Sequence, residues 1–303
     1  MFIYSFFITV AMLSNDPEYV ETLHKVADAI KNAEYILVGG AAGMSAAGSV
    51  DTYGINDPIY LKNFKDIEEK YHAGSIWRAY YLREYTGRDW ESREDHWGFK
   101  ITLMHFDLHD PIHQPYIYLK NILKGKEFDI VTTNQDVQFP RAFPDKDVAV
   151  IQGDWRFLQC SKCCHDKVYE SVDLCDELFP KIVKGSLPKE LIPRCPKCGA
   201  EMIEWVRGFE FLQGSFYHQQ YKKYHKYMDI SRTKRSVYLE LGVGVMTPMF
   251  IKEPFINLAN ENHNSTYIPI NPKHAIIPNE IKDRSIKVPY DIAVFLADLE
   301  KIM

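Results

Sequence analysis

Short apolar runs that each stop at a cluster of small or amide-bearing residues recur along this chain. Glu34-Tyr-Ile-Leu-Val38 leads into Gly39-Gly40-Ala41-Ala42-Gly43-Met44-Ser45-Ala-Ala-Gly48-Ser49, and Phe128–Val131 into Thr132-Thr133-Asn134-Gln-Asp136. Val148–Ile151 leads into Gln152-Gly153-Asp154, Tyr238–Leu241 into Gly242-Val243-Gly244, and Pro254–Ile256 into Asn257. Uninterrupted apolar runs of this length mark strands buried on both faces of a parallel sheet. The pattern predicts an α/β fold with a doubly wound, Rossmann-like parallel sheet. Helices are expected from about Pro17 to Asn32, through much of 59–123, and from Val288 to about Lys301. The first is announced by Ser14-Asn15-Asp16-Pro17-Glu18, a capping residue followed by Pro and an acid.

The strand ends are where the chemistry is expected. In open α/β sheets, ligands bind just outside the carboxyl ends of the strands. The small residues after Val38 let a backbone approach a pyrophosphate, although Ala41 stands where a full dinucleotide fingerprint would carry glycine. Asn134 and Asp136, two apart on a strand-end loop, can bond ribose hydroxyls and an amide.

Six cysteines interrupt the sheet pattern, all between Cys160 and Cys198. Cys160-x2-Cys163 and Cys195-Pro-Lys-Cys198-Gly199 are two thiolate knuckles with the spacing of a tetrahedral zinc site. The spacing favours Cys163 and leaves Cys164 as the alternative ligand; Cys175 reads as structural or free. Four thiolates close the coordination shell, so this Zn2+ is expected to hold structure and do no chemistry.

Composition narrows the picture further. Across 303 residues the hydrophobic share of 46% and charged share of 25% are ordinary for a globular chain, and a net charge of −5 leaves no basic footprint for nucleic acid. Phe2–Leu13 is apolar but too short to span a membrane and lacks the charged start of a signal peptide, so a cytoplasmic location without membrane attachment is expected. His105, His109 and His113 are spaced by four and invite a metal reading, but Pro111 should break the helix and no further ligands are evident in the sequence.

Taken in order, these pieces resemble the sirtuin family. Ala41-Ala42-Gly43-Met44-Ser45 stands where sirtuins have G-A-G-x-S, with Pro111-Ile-His113 ahead of the next strand. Thr132-Thr133-Asn134-Gln-Asp136 stands for T-Q-N-x-D, and Ile151-Gln152-Gly153 for L-H-G before the cysteines. Gly242-Val243-Gly244 stands for G-T-S, and Ile256-Asn257 for I-N. The match runs through roughly residues 20–300. The resemblance implies NAD bound by Gly40, Ala41, Ala42, Gly43, Ser45, Thr133, Asn134, Gln152, Gly242, Val243, Gly244 and Asn257, with Tyr53 in place of a usual Phe. It also implies residues 1–15 as an extension, 16–155 and 208–303 as the NAD-binding domain with a helical insertion at about 59–123, and 156–207 as a zinc-binding module.

One departure decides the expected activity. Family deacetylases place a catalytic His where this chain has Gln152, and an amide cannot take a proton near neutral pH. The Gln and the long zinc insertion resemble the class M sirtuins of microbes, which are ADP-ribosyltransferases. The implied reaction splits NAD at its nicotinamide–ribose bond and passes ADP-ribose to a protein acceptor. Asn134, Asp136 and Gln152 are the expected catalytic residues. Arg207 joins them if it balances developing charge and is otherwise a surface arginine. The implied partners are a lipoylated, glycine-cleavage-H-like carrier and a macrodomain hydrolase. A lysine deacylase using another base, His113 or Asp136, and a non-catalytic NAD-binding module are the other readings.

Overall fold

The computed structural model describes residues 16–48 and 54–303; the expected extension 1–15 and Tyr53 lie outside the described residues. Helix α1 (Pro17–Asn32) starts where the capping pattern places it, with Asp16 Oδ1 accepting from Glu18 N at 3.0 Å. Strand β1 (Tyr35–Gly40) follows and is buried at all six positions. Its Gly40 end turns into helix α2 (Ala42–Ala47).

The chain then runs through helices α3 (Pro58–Asn63), α4 (Lys65–Tyr71), α5 (Ile76–Tyr80), α6 (Leu82–Thr86), α7 (Arg93–His109) and α8 (Gln114–Ile122). Pro111 separates the last two, as its missing N–H requires. Strand β2 (Phe128–Thr132), helix α9 (Gln138–Ala142) and strand β3 (Ala149–Val150) extend the main sheet. A second sheet follows from β4 (Gly153–Cys160), β5 (Val168–Glu170) and β6 (Met202–Val206), with helix α10 (Val172–Leu178) between β5 and β6. It is antiparallel, in the order β5-β4-β6. Helix α11 (Ser215–Thr233) leads back to β7 (Ser236–Leu241), helix α12 (Lys252–Glu261), β8 (Ser265–Ile270) and helix α13 (Ile292–Ile302).

The main sheet is parallel throughout, in the order β3-β2-β1-β7-β8. β1 is central: Val38 pairs with Ile130 on one side and Leu239 on the other. The chain builds outwards from β1 in one direction and later returns to build in the other. The crevice between the carboxyl ends of β1 and β7 is therefore the topological switch point, where such sheets hold ligands. Two glycines let the backbones meet there. Gly43 N donates to Gly242 O at 3.1 Å, and a Cβ on Gly43 would lie 2.6 Å from Gly242 Cα. Gly242 has a φ of +68°, so a side chain there would be strained as well as crowded.

One expected strand is a helix. Pro254–Ile256 belongs to α12, whose buried Phe255, Leu258 and Ala259 follow helical spacing. The fifth strand is instead β8, which ends at Ile270, just before Asn271. None of the described helices is long and apolar enough to cross a membrane.

Candidate active site

The loop after β2 folds back over the start of α2. Thr132 Oγ1 donates to Gly40 O at 3.0 Å and accepts from Asn134 N at 3.0 Å. This pins the Asn134 side chain, whose Nδ2 reaches Ser45 Oγ at 3.0 Å and Ala41 O at 3.2 Å. Ser45 Oγ in turn donates to Asp136 Oδ2, and Asp136 Oδ1 accepts from Gln138 N at 3.2 Å. Four of the residues expected at the site, Ala41, Ser45, Asn134 and Asp136, thus form one network. Thr133 joins it through its N–H, 3.1 Å from Gly40 O.

Three acids, Asp107, Asp110 and Asp136, crowd this corner around Arg141. Burial pushes the Asp136 carboxyl up, against the bond from Ser45. Asp107 on α7 is pushed well above the usual carboxylate range, first by burial and then by Asp136 and Asp110 nearby. Arg141 N–H groups go to main-chain oxygens, Asp110 O at 2.7 Å and Asp107 O at 3.1 Å. A carboxyl raised in this way favours folding below its ordinary titration range, and that contribution is lost as pH rises through the raised value. Relative to the unaltered protein, Asp107→Asn should therefore become increasingly stabilising as pH rises above the ordinary carboxylate range, read as urea midpoints at each pH.

His113 caps the same region. Its Nε2 is paired with Asp110 Oδ2, its main-chain N–H donates to Gln138 Oε1 at 3.1 Å, and its Nδ1 is buried without a partner among the described residues. A Cβ on Gly48 would stand 2.3 Å from that Nδ1, so only glycine leaves room for the ring.

Gln152 lies at the end of β3, where Ile151 N donates to Thr132 O at 3.2 Å. Its side chain makes no hydrogen bond among the described residues, while its main-chain O accepts from Arg207 N at 2.9 Å. That bond sets Arg207 beside Gln152. The guanidinium lies over the rings of Phe211 (5.0 Å), Phe250 (5.4 Å) and Tyr217 (5.6 Å), with Nη2 3.3 Å from Tyr217 Oη and Nε buried without a partner. Arg207 is thus a caged cation at the cleft, which excludes the solvated surface arginine that the sequence left open.

At the opposite end, Val243 is buried and Gly244 stands in open space. The loop is anchored by a residue the sequence reading missed. Asn271, just after β8, donates from Nδ2 to Val243 O at 3.0 Å and accepts from Lys273 N and His274 N, both at 2.9 Å. Asn257, expected to bind NAD at the end of a strand, is exposed on α12 because that strand does not exist. Beneath the loop, Lys252 donates to buried Glu240 and to His274 O at 3.0 Å, tying α12 to the segment after β8.

The thiol cluster also corrects one ligand. Cys160, Cys164, Cys195 and Cys198 converge, with Cys160 and Cys198 Sγ 3.5 Å apart and Cys164 and Cys195 Sγ 3.6 Å apart. Sulfurs bound to one tetrahedral zinc at about 2.3 Å stand roughly 3.8 Å from one another, so these four fit a structural zinc ion. Cys163 does not take part. It sits at the tip of the first knuckle in the left-handed region, φ +44°, and its exposed Sγ turns to Glu210 O at 3.2 Å. The chain returns to the cluster one residue later, at Cys164. Cys175 is buried away from the cluster against Ile101 O, and burial pushes its thiol up to about 12.

No protein-family model matches the chain. It is 34% identical over 274 residues to the protein ADP-ribosyltransferase of Staphylococcus aureus (strain Mu50 / ATCC 700699), covering 88% of this chain and 84% of that protein. A Fusarium oxysporum f. sp. cubense protein named "Probable bifunctional ADP-ribose hydrolase/ADP-ribosyltransferase" is 28% identical, over 81% of this chain but only 41% of its own length. Among solved structures, a Sir2 homologue in complex with NAD superimposes with a TM-score of 0.60 at 16% identity, over 92% of this chain and 93% of that one. Sir2Tm bound to a propionylated peptide gives a TM-score of 0.56 at 15% identity, over 92% and 98%.

Proposed function

Because the chain belongs to the sirtuin-fold family of protein ADP-ribosyltransferases, we propose that it splits NAD at the nicotinamide–ribose bond and transfers ADP-ribose to a protein acceptor. The observation that carries this reading is Gln152, an amide where a base would be needed, one residue after Ile151, whose N–H bonds Thr132 O, and with its main-chain O held by Arg207 N.

Asn134, held by Thr132 and aimed across Ser45, orients the nicotinamide end and its ribose. Gly40–Gly43 and Gly242–Gly244 give the pyrophosphate and the second ribose a close backbone, with Asn271 fixing the loop. The unpaired Arg207 Nε and His113 Nδ1 are polar atoms left for a ligand to satisfy, as buried polar groups require. In the step itself nicotinamide leaves with the electron pair of its bond to ribose C1′. An acceptor lone pair then bonds that carbon, and the acceptor's proton passes to solvent or a nearby base. Preorganised amide oxygens of Asn134 and Gln152, worth more in a water-excluded cleft than in water, would offset the cost of burying the positive charge that develops at C1′.

Deacetylation needs one thing more, a base that deprotonates a ribose hydroxyl. Such a base contributes roughly 10²- to 10⁴-fold, and Gln152 cannot serve. His113, with Nε2 paired to Asp110 and a buried Nδ1 left open, is the alternative base, and the acetyl-lysine arm of the test below checks it. The acceptor we favour is a lipoylated, glycine-cleavage-H-like carrier. The Fusarium relative's name joins a hydrolase to a transferase in one longer protein, and this supports a separate ADP-ribose hydrolase, a macrodomain protein, as the partner of the present chain.

The test incubates the protein with NAD and either lipoylated carrier or acetyl-lysine peptide, followed by mass spectrometry of protein, peptide and nucleotide. Labelled carrier and untouched peptide are expected. Gln152→Ala should lower transfer a few-fold to about tenfold, the worth of one hydrogen bond made in the transition state. Brisk formation of O-acetyl-ADP-ribose by the unaltered protein would reject the transferase reading.

A further inference from the structure

Among the described residues, one set of ligand-bearing side chains converges away from the cleft and the thiol cluster. His105 and His109 are four residues apart on α7 and therefore share a face of that helix. Asp176 reaches them from α10, in the cysteine-bearing segment. One ligand atom from each of the three lies within 4.8 Å of the other two. His109 Nε2 is 2.5 Å from Asp176 Oδ1, and the two imidazole centroids are 4.5 Å apart. The His105 ring is stacked flat on Phe179, 3.7 Å away with 5° between planes, which fixes its orientation. His109 and Asp176 are each nearly half exposed, so an ion can reach them and keep water on its remaining positions.

We propose that His105, His109 and Asp176 form a second metal site, for a divalent transition ion such as zinc or cobalt, that ties α7 to α10. Ligand atoms on a tetrahedral ion with bonds of about 2.0–2.2 Å stand roughly 3.3 Å apart. That value falls between the 2.5 Å contact and the 4.8 Å spread, so small side-chain rotations close the set. Two imidazoles and one carboxylate suit zinc, cobalt or nickel; calcium and magnesium want oxygen ligands throughout. His113 takes no part, because the break at Pro111 carries it to Asp110. The third ligand comes instead from a residue 67 positions beyond His109, which no helix periodicity could reveal. An ion pair between His109 and Asp176 alone is the competing account, and it has no need of His105 or of metal.

Cobalt titrated into the zinc-loaded full chain separates the two. One equivalent should bind with zinc retained, giving visible d–d absorption without the intense near-ultraviolet thiolate-to-cobalt band of a cysteine site. His105→Ala, His109→Ala and Asp176→Asn should each weaken uptake by at least about tenfold, the scale on which ligand-sphere changes act. Asp176→Asn is an exposed, isosteric change and guards against misfolding as the cause. Cobalt should also raise the Tm of the unaltered protein and not that of the variants. No uptake beyond displacement of the cysteine-bound zinc, or uptake unaffected by His105→Ala and Asp176→Asn, would overturn the site.

Discussion

Asn134→Ala should cut nicotinamide release by roughly 10²-fold or more while leaving a folded protein, since misplacing a reacting group by about an ångström costs on that order. The residue is not a lone contact. Its Nδ2 bridges Ser45 Oγ and Ala41 O, its own N–H is fixed by Thr132, and Ser45 hands the next bond to Asp136. Truncation removes the amide and one of the two hydrogen bonds that position Ser45 Oγ, leaving it held by Asp136 alone. The fold should survive because Asn134 lies on a strand-end loop, and the β1–β2 ladder from Ile36 to Gly40 does not depend on it. Asp136→Asn should lower turnover as well, since Ser45 and Gln138 N donate to separate carboxylate oxygens and an amide keeps only one of the two acceptors. Circular dichroism and zinc content of Asn134→Ala should match the unaltered protein; wild-type turnover would show that the ribose sits elsewhere.

The parts of this site that the sequence shows are those carried by local pattern. β1, β2, β3 and β7 are apolar runs ended by small or amide residues, and each lies where that pattern puts it. β8 was hidden for a physical reason. Pro269 interrupts the run Ser265–Ile270, and Pro inside a run argues against a central strand. The sheet tolerates it because β8 is an edge strand, hydrogen-bonded in the sheet only to β7. Missing β8 cost the reading Asn271 and put Asn257 in its place, since an apolar run as short as Pro254–Ile256 fits a strand or one turn of a helix equally. Arg207 was legible as a charge near the site. Its cage of Phe211, Tyr217 and Phe250 was not, because those rings come from three separate segments. The same limit applies to Asp176 beside His105 and His109.

Cys164→Ser should release the zinc and unfold the segment between β4 and β6, whereas Cys163→Ser should leave both intact. The two residues are adjacent, and C-x2-C spacing favours the first, so the contrast is a direct test of backbone geometry against motif. Cys163 N donates to Cys160 O at 2.9 Å, and its left-handed φ of +44° turns the chain so that the next side chain points back at Cys160. On the other knuckle Gly199 does the corresponding work, with φ +70° and its N–H 2.9 Å from Cys195 O. Much of the segment shares a buried core with α7, through Leu158, Leu178, Leu187 and Ile192 against Trp97 and Phe99, but the knuckles themselves are loops with Cys163 and Cys198 exposed, and the ion is what closes them. Zinc binding to four thiolates contributes apparent free energies of about 10–16 kcal/mol in isolated modules, larger than the whole stability of many domains. Removing one thiolate forfeits much of that, while Cys163→Ser touches only the contacts of its Sγ to Glu210 O and Gln159 Nε2, both of which a hydroxyl can also make. Metal analysis after dialysis and thermal unfolding of each variant would read the difference. Zinc retained by Cys164→Ser and lost by Cys163→Ser would restore the spacing argument over the geometry. Because β4 ends in Cys160 and begins beside Gln152, loss of the ion should also reach the active site. Transfer by Cys164→Ser should fall with its zinc content, and recovery on adding zinc to a Cys164→His variant would show that the metal acts only by holding Gln152 and Arg207 in register.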